Sequence, residues 1–95
     1  MPRIVFYKDN DGIFEYETDG KEVILHCTMY KWSPSVLKKC YMVFGDFLNT
    51  MRKEGFERVC TVTPNPKFSK LFNGKFIANY THEGEQYEVL VWELN

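Results

Sequence analysis

From Trp32 to Gly55 the chain reads WSPSVLKKCYMVFGDFLNTMRKEG, the one long stretch with a helical apolar period and both ends marked. Ser33 carries the side chain of a helix N-cap, and Pro34 suits the first helical position because it has no N–H to lose. Val36, Leu37, Cys40, Tyr41, Phe44, Phe47, Leu48 and Met51 recur at steps of three and four, which makes one apolar face. Arg52 and Lys53 fall at the negative end of the helix dipole, and Gly55 can take the left-handed stop. A long amphipathic helix is therefore predicted, and the rest of the chain is read outward from it.

Toward the N-terminus, residues 4–7 are β-rich, and Asp9-Asn10-Asp11-Gly12 is a concentrated turn signal. Residues 13–17 alternate, with Phe14 and Tyr16 set against Glu15 and Glu17, as in a half-buried strand. Asp19-Gly20 marks a tight hairpin, and residues 22–30 form a third strand leading into the helix. Toward the C-terminus, residues 56–63 read as a strand parallel to the third, because a long crossover helix joins the two. Pro64-Asn65-Pro66 breaks it. Residues 67–72 suit a short helix, ended by Asn73-Gly74, and residues 75–80 and 87–92 make a closing pair of strands around His82-Glu83-Gly84-Glu85. The predicted order is β-β-β-α-β-α-β-β, an α/β domain over residues 1–95 with a mixed central sheet, the long helix on one face and the short helix on the other. Phe6, Phe14, Val89, Val91 and the helix face are the expected core.

Ninety-five residues support one modest core. The net charge is −1 but unevenly spread: residues 1–30 carry −3, residues 31–75 carry +6 and residues 76–95 carry −4. A basic middle between acidic ends suits a local anion site better than a general polyanion binder, though a lysine-rich solvated helix face has the same charge. Cys27, Cys40 and Cys60 lack metal-ligand spacing and fall in apolar patterns, which fits buried thiols in a reducing compartment. MPRIVFYKD has no apolar core of a signal peptide, and no apolar run reaches bilayer length, so a cytoplasmic location is expected and no membrane partner.

Three stretches carry a family resemblance. Asn65-Pro66-Lys67-Phe68-Ser69-Lys70-Leu71-Phe72 keeps the Asn and Leu of an Asn-x-x-Ala-x-x-Leu-Tyr pattern, with Phe68 for the small residue and Phe72 for the Tyr. Asn73-Gly74-Lys75-Phe76 stands near a Gly-Phe element, and NYTHEGEQYEVLVWEL looks like a closing hairpin. With the element order, this resembles the GNAT superfamily, the Gcn5-related N-acetyltransferases, in a minimal form lacking the usual first strand and first two helices. It is similar to the small, diverged GNAT-like proteins coded by phages.

The resemblance implies acetyl-CoA or CoA as the cofactor. The pantetheine arm would pair with the strand before the long helix, in a gap between that strand and its parallel neighbour, here beside Cys27, Thr28 and Met29. The pyrophosphate would sit on the N-terminus of the long helix, where unpaired N–H groups and the dipole favour an anion. The family's glycine-rich loop there becomes Tyr30-Lys31-Trp32-Ser33-Pro34-Ser35, with no glycine, and Lys31, Trp32, Ser33 and Ser35 are the residues left to hold phosphate, with Asn65 beyond. Pro34 removes a donor, and a simply capped helix start explains the same residues. For a catalytic base the candidates are His26, Glu15 and Glu17, all on the meander; His26 alternates with Leu25 and Cys27 and so projects from the opposite face. As bland alternatives, a lone strand histidine is often a surface residue, and Glu15 and Glu17 suit a solvent face. Phe72 stands where the family's Tyr acid would be and has no proton to donate.

His26 and His82 form no metal motif, and the aromatics lack an RNA-binding signature, so neither a metal nor a nucleic-acid partner is expected. Two functions follow from the resemblance. One is a catalytically degenerate GNAT-fold protein of phage type, which acts in the host cytoplasm by binding a host, defence or virion protein. The other is an acetyl-CoA-dependent N-acetyltransferase of an amine or a protein lysine. An exposed edge strand could also support a homodimer.

Overall fold

The computed structural model describes residues 2–63 and 72–94. Three strands open the chain: β1 (Ile4–Lys8), β2 (Gly12–Asp19) and β3 (Glu22–Met29). They form an antiparallel meander. Gly20, at φ +62°, makes the β2–β3 turn, a backbone state that costs glycine nothing. The helix α1 (Pro34–Lys53) follows, and then β4 (Arg58–Thr63), β5 (Lys75–His82) and β6 (Glu85–Glu93). The six strands form one sheet in the order β1-β2-β3-β4-β6-β5. The β3–β4 pair is parallel and every other pair antiparallel. The mixed α/β architecture expected from the sequence is the one observed.

Both marked ends of α1 behave as predicted. Ser33 is extended and caps the helix, Pro34 is at its start, and Gly55 takes φ +91° just past its end. The final hairpin is tighter than expected. Glu83 and Gly84, both at positive φ, turn the chain in two residues, so β5 and β6 run further toward each other than predicted.

The core lies between α1 and one face of the sheet. Phe47, Met51, Val23, Leu25, Val59 and Leu90 are almost completely buried. Phe47 takes the edges of Phe6 and Tyr16 at 5.1 and 5.5 Å, and Phe44 meets Trp92 at 4.9 Å. Each such side chain contributes roughly 1.5–3 kcal/mol by leaving water. Two core expectations are corrected. On β6 the buried set is Leu90, Trp92 and Leu94, while Val89 and Val91 point to the other face and are half-buried. Both alternate sets are apolar, so sequence period alone did not choose between them. On α1, Val43 is buried and Tyr41 is 55% exposed, because the buried arc centres on Cys40, Phe47 and Met51.

The short helix expected at residues 67–72 lies outside the described residues except for Phe72. That residue packs on the same face as α1, stacked on Tyr41 at 5.6 Å and edge-on to Phe44 at 5.0 Å, not on the opposite face. Among the described residues no helix lies on the far face of the sheet. None is long and apolar enough to cross a membrane.

Candidate functional site

A fork opens in the middle of the sheet. The parallel ladder runs from Glu22 opposite Arg58 to Leu25 opposite Thr61 and stops there. Both strands continue. β3 stays paired to β2 as far as Met29 opposite Gly12, and β4 stays paired to β6 as far as Thr63 opposite Glu88. Each inner strand therefore follows its outer neighbour and the two part company. At the branch point the Thr61 hydroxyl donates to the Leu25 carbonyl at 2.8 Å, buried. This bond satisfies a polar group that burial would otherwise leave costly.

The meander side of the fork is held back by the turn between β1 and β2. Tyr30 N–H donates to the Asp11 carbonyl at 2.8 Å. Gly12 lies so close to β3 that a Cβ there would come within 2.7 Å of the Thr28 carbonyl oxygen. Asp9 Oδ1 receives the N–H groups of Asp11 and Gly12 at 2.8 and 3.2 Å, and Lys39 of α1 reaches both Asp9 and Asp11 at 2.5 Å. The Lys39 ammonium, the Tyr7 hydroxyl and the Asp11 N–H hold the Asp9 carboxyl well below the usual range. The two carboxylates in turn push Lys39 up. This clamp ties the turn to the helix, and it was missed in the sequence, where Lys39 reads as one more solvated lysine.

The first turn of α1 is nearly closed to an anion. Pro34 has no N–H, Val36 N–H is taken by the Ser33 hydroxyl at 3.2 Å, and Leu37 N–H by the Ser33 carbonyl at 2.9 Å. The Ser33 and Ser35 hydroxyls bond each other at 3.1 Å. Among the described residues the Ser35 N–H has no partner. Lys31 and Trp32 are exposed beside it. The bland reading of these residues as a capped helix start describes what Ser33 does.

Cys27, Thr28 and Met29 all lie on β3 beyond the last rung of the ladder. The Cys40 thiol beside Cys27, together with burial, pushes the Cys27 pKa up. His26, the first residue past the branch, points to the face away from α1. Its Nε2 meets Glu17 Oε1 at 2.8 Å, and Arg3 lies 3.7 and 3.6 Å from Glu15 and Glu17. The three catalytic candidates thus come together in one half-exposed cluster beside the fork. Phe72 is 5% exposed and its carbonyl accepts from Trp92 Nε1 at 2.6 Å, so this position is part of the core. Asn65 lies outside the described residues, and no metal-binding cluster occurs among those described.

Tested against acetyl-CoA, the two parts of the site disagree. Among the described residues no strand pairs with β3 on its β4 side beyond Leu25, which is the edge an extended chain would need. The first turn of α1, with no N–H at Pro34, the Val36 N–H taken by Ser33 and no glycine, does not fit a pyrophosphate.

Comparison with family models and with curated protein sequences finds no match. Solved structures do match. An aminoglycoside 6'-acetyltransferase type Ii superposes with a TM-score of 0.73 at 9% identity, over 94% of this chain and 66% of that one. A protein of Agrobacterium tumefaciens described as an acetyltransferase gives 0.66 at 14% identity, over 97% and 73%. One from Staphylococcus epidermidis, described likewise, gives 0.66 at 10%, over 92% and 64%. The fold is that of the GNAT acetyltransferases. It spans about two thirds of the length of these structures.

Proposed function

We propose that this protein keeps the GNAT fold as a scaffold, has lost acetyl transfer, and works by binding another protein. The observation that carries this reading is the first turn of α1, where Pro34 has no N–H and the Ser33 hydroxyl takes that of Val36, which removes two of the donors a cofactor diphosphate would use. Phe72, buried in the core, adds to it, since it offers no proton to a leaving thiolate. In this reading the partner is a host, defence or virion protein, met in the cytoplasm of an infected cell. Thermal unfolding in rising acetyl-CoA tests this. No stabilisation is expected at millimolar ligand, whereas a bound cofactor at about 100 times its dissociation constant would add about 2.7 kcal/mol. A saturable shift that Lys31→Ala with Ser35→Ala abolishes would overturn the proposal.

The fork favours a second reading, an N-acetyltransferase of an amine or a protein lysine. In it His26, oriented by Glu17 at 2.8 Å, is the group placed to take a proton from the amine, with Glu15 beside it. The backbone of residues 27–29 would hold the acyl donor's arm. Acetylation of an amine substrate lost in His26→Gln, with an unchanged melting temperature, would establish this reading over the first.

A further inference from the structure

We propose that Cys27 and Cys40 form a peroxide-responsive thiol pair, which joins β3 to α1 through a reversible disulfide. Their places in the fold bring the two sulfurs together. Cys27 follows Val23 and Leu25 on the face of β3 that lies under α1. Cys40 is on the buried arc of α1, packed on that face and 2% exposed. Phe14, directly opposite Cys27 on β2, and Met29, the next residue of its row on β3, line one cavity with Cys40. The two thiols are in hydrogen-bond contact, and both are free.

The surroundings hold strand and helix at this spacing. Lys39, next to Cys40, is clamped to Asp9 and Asp11. Gly12, which follows them, lies against the Thr28 carbonyl, next to Cys27. Cys60, the third thiol, is on the other side of the sheet, since it alternates with the buried Val59 and Thr61 on β4.

The two sulfurs are unequal. The Cys27 S–H donates to the Cys40 sulfur, which favours the Cys40 thiolate and lowers its pKa. The thiolate is the nucleophile. Cys40 also borders the cavity, whose ≈ 10 Å³ holds about one water molecule, with Tyr7, Asp9 and Lys39 in its wall. Such a space selects a small hydroperoxide over a bulky disulfide as the oxidant. The Cys40 sulfur attacks one peroxide oxygen. The S–O bond forms, the O–O bond breaks, and the leaving hydroxide takes a proton from solvent to become water. The Cys27 sulfur then attacks the sulfur of the Cys40 sulfenic acid. The S–S bond forms, the S–O bond breaks, and hydroxide leaves with the Cys27 proton as a second water. The two thiols lose two electrons and the peroxide gains them. The bond ties the end of β3 beyond the ladder to the helix and closes residues 28–39, the helix start included, into a loop. In a reducing compartment such a bond is transient, which suits a sensor.

Treating the folded chain with hydrogen peroxide, followed by alkylation in denaturant, tests the pair. The intact mass should fall by two hydrogens, and of the three cysteines only Cys60 should take the alkylating agent. Peptide mapping should place the bridge between residues 27 and 40, and dithiothreitol should restore all three thiols. The bridged chain should melt at a higher temperature than the reduced one. The same treatment in urea should give mixed bridges that include Cys60, because the selectivity comes from the fold. In Cys27→Ala, Cys40 should stop at the sulfenic acid and be trapped by dimedone; in Cys40→Ala, Cys27 should take no such label. Three alkylatable thiols after millimolar peroxide, a bridge from the folded chain that involves Cys60, or a dimedone label on Cys27 would overturn the proposal.

Discussion

The fork between β3 and β4 and the first turn of α1 lie only four residues apart along the chain, from Met29 to Ser33, yet they carry opposite messages. The fork is maintained. The ladder stops at Leu25 and Thr61, a buried hydroxyl closes the branch, and the Asp9–Lys39 clamp holds the meander side away. The helix start is closed. The Val36 N–H is spent on Ser33, Pro34 has none, and the Ser35 N–H remains. A fork depends on how two halves of a sheet are anchored to their outer neighbours, so packing that serves stability also preserves it. An anion cradle depends on local backbone groups left unsatisfied, and a few residue changes are enough to satisfy them. A strand fork and an anion cradle therefore rest on different parts of the structure, and either can be present without the other.

The strongest way to break this contrast is at Gly12. Ala there would press its methyl group on the Thr28 carbonyl, a backbone atom with little room to yield. We expect a loss of about 3 kcal/mol in urea unfolding, at the upper end of overpacking costs. Thr61→Val should follow, at about 2 kcal/mol, because the buried Leu25 carbonyl loses its donor while the shape is kept. Ser33→Ala sharpens the other half: it should cost about 1 kcal/mol of helix capping and release the Val36 N–H. Acetyl-CoA should still give no thermal shift in that variant, since Pro34 remains.

The smallest effect expected is one of pH. The Asp9 carboxyl sits below its ordinary value because its charged form accepts from Lys39, Tyr7 and the Asp11 N–H. Such a group stabilises the fold above its unfolded value of about 4 and loses that contribution as pH falls through its folded value. Lys39, raised above its ordinary value, keeps its share until strongly alkaline pH. Lys39→Met should therefore melt below the wild type at pH 7, and the gap should close as the buffer is taken toward pH 2.

Much of the chain could be read directly. Ser33, Pro34 and Gly55 marked the helix because caps and stops act within a few residues, and Gly20 marked its hairpin for the same reason. The outward direction of His26 followed from strand alternation. The site was less legible. Nothing local distinguishes Thr61 from any other strand threonine, and its role exists only because the Leu25 carbonyl lies across a ladder that ends there. Lys39 looked like part of a solvated face because its carboxylate partners lie some thirty residues away, in the turn after β1.

What the sequence determined by itself was the six strands, the long helix and their order, since propensity, capping and periodicity depend on near neighbours. Only the tertiary structure decided which apolar side of β6 lies under the helix, Leu90 and Trp92 and not Val89 and Val91. It alone decided where β3 leaves β4, and that Glu17 meets His26. These are relations between strands distant in the chain. They are set by how two halves of a sheet share one helix, a constraint that no single segment carries.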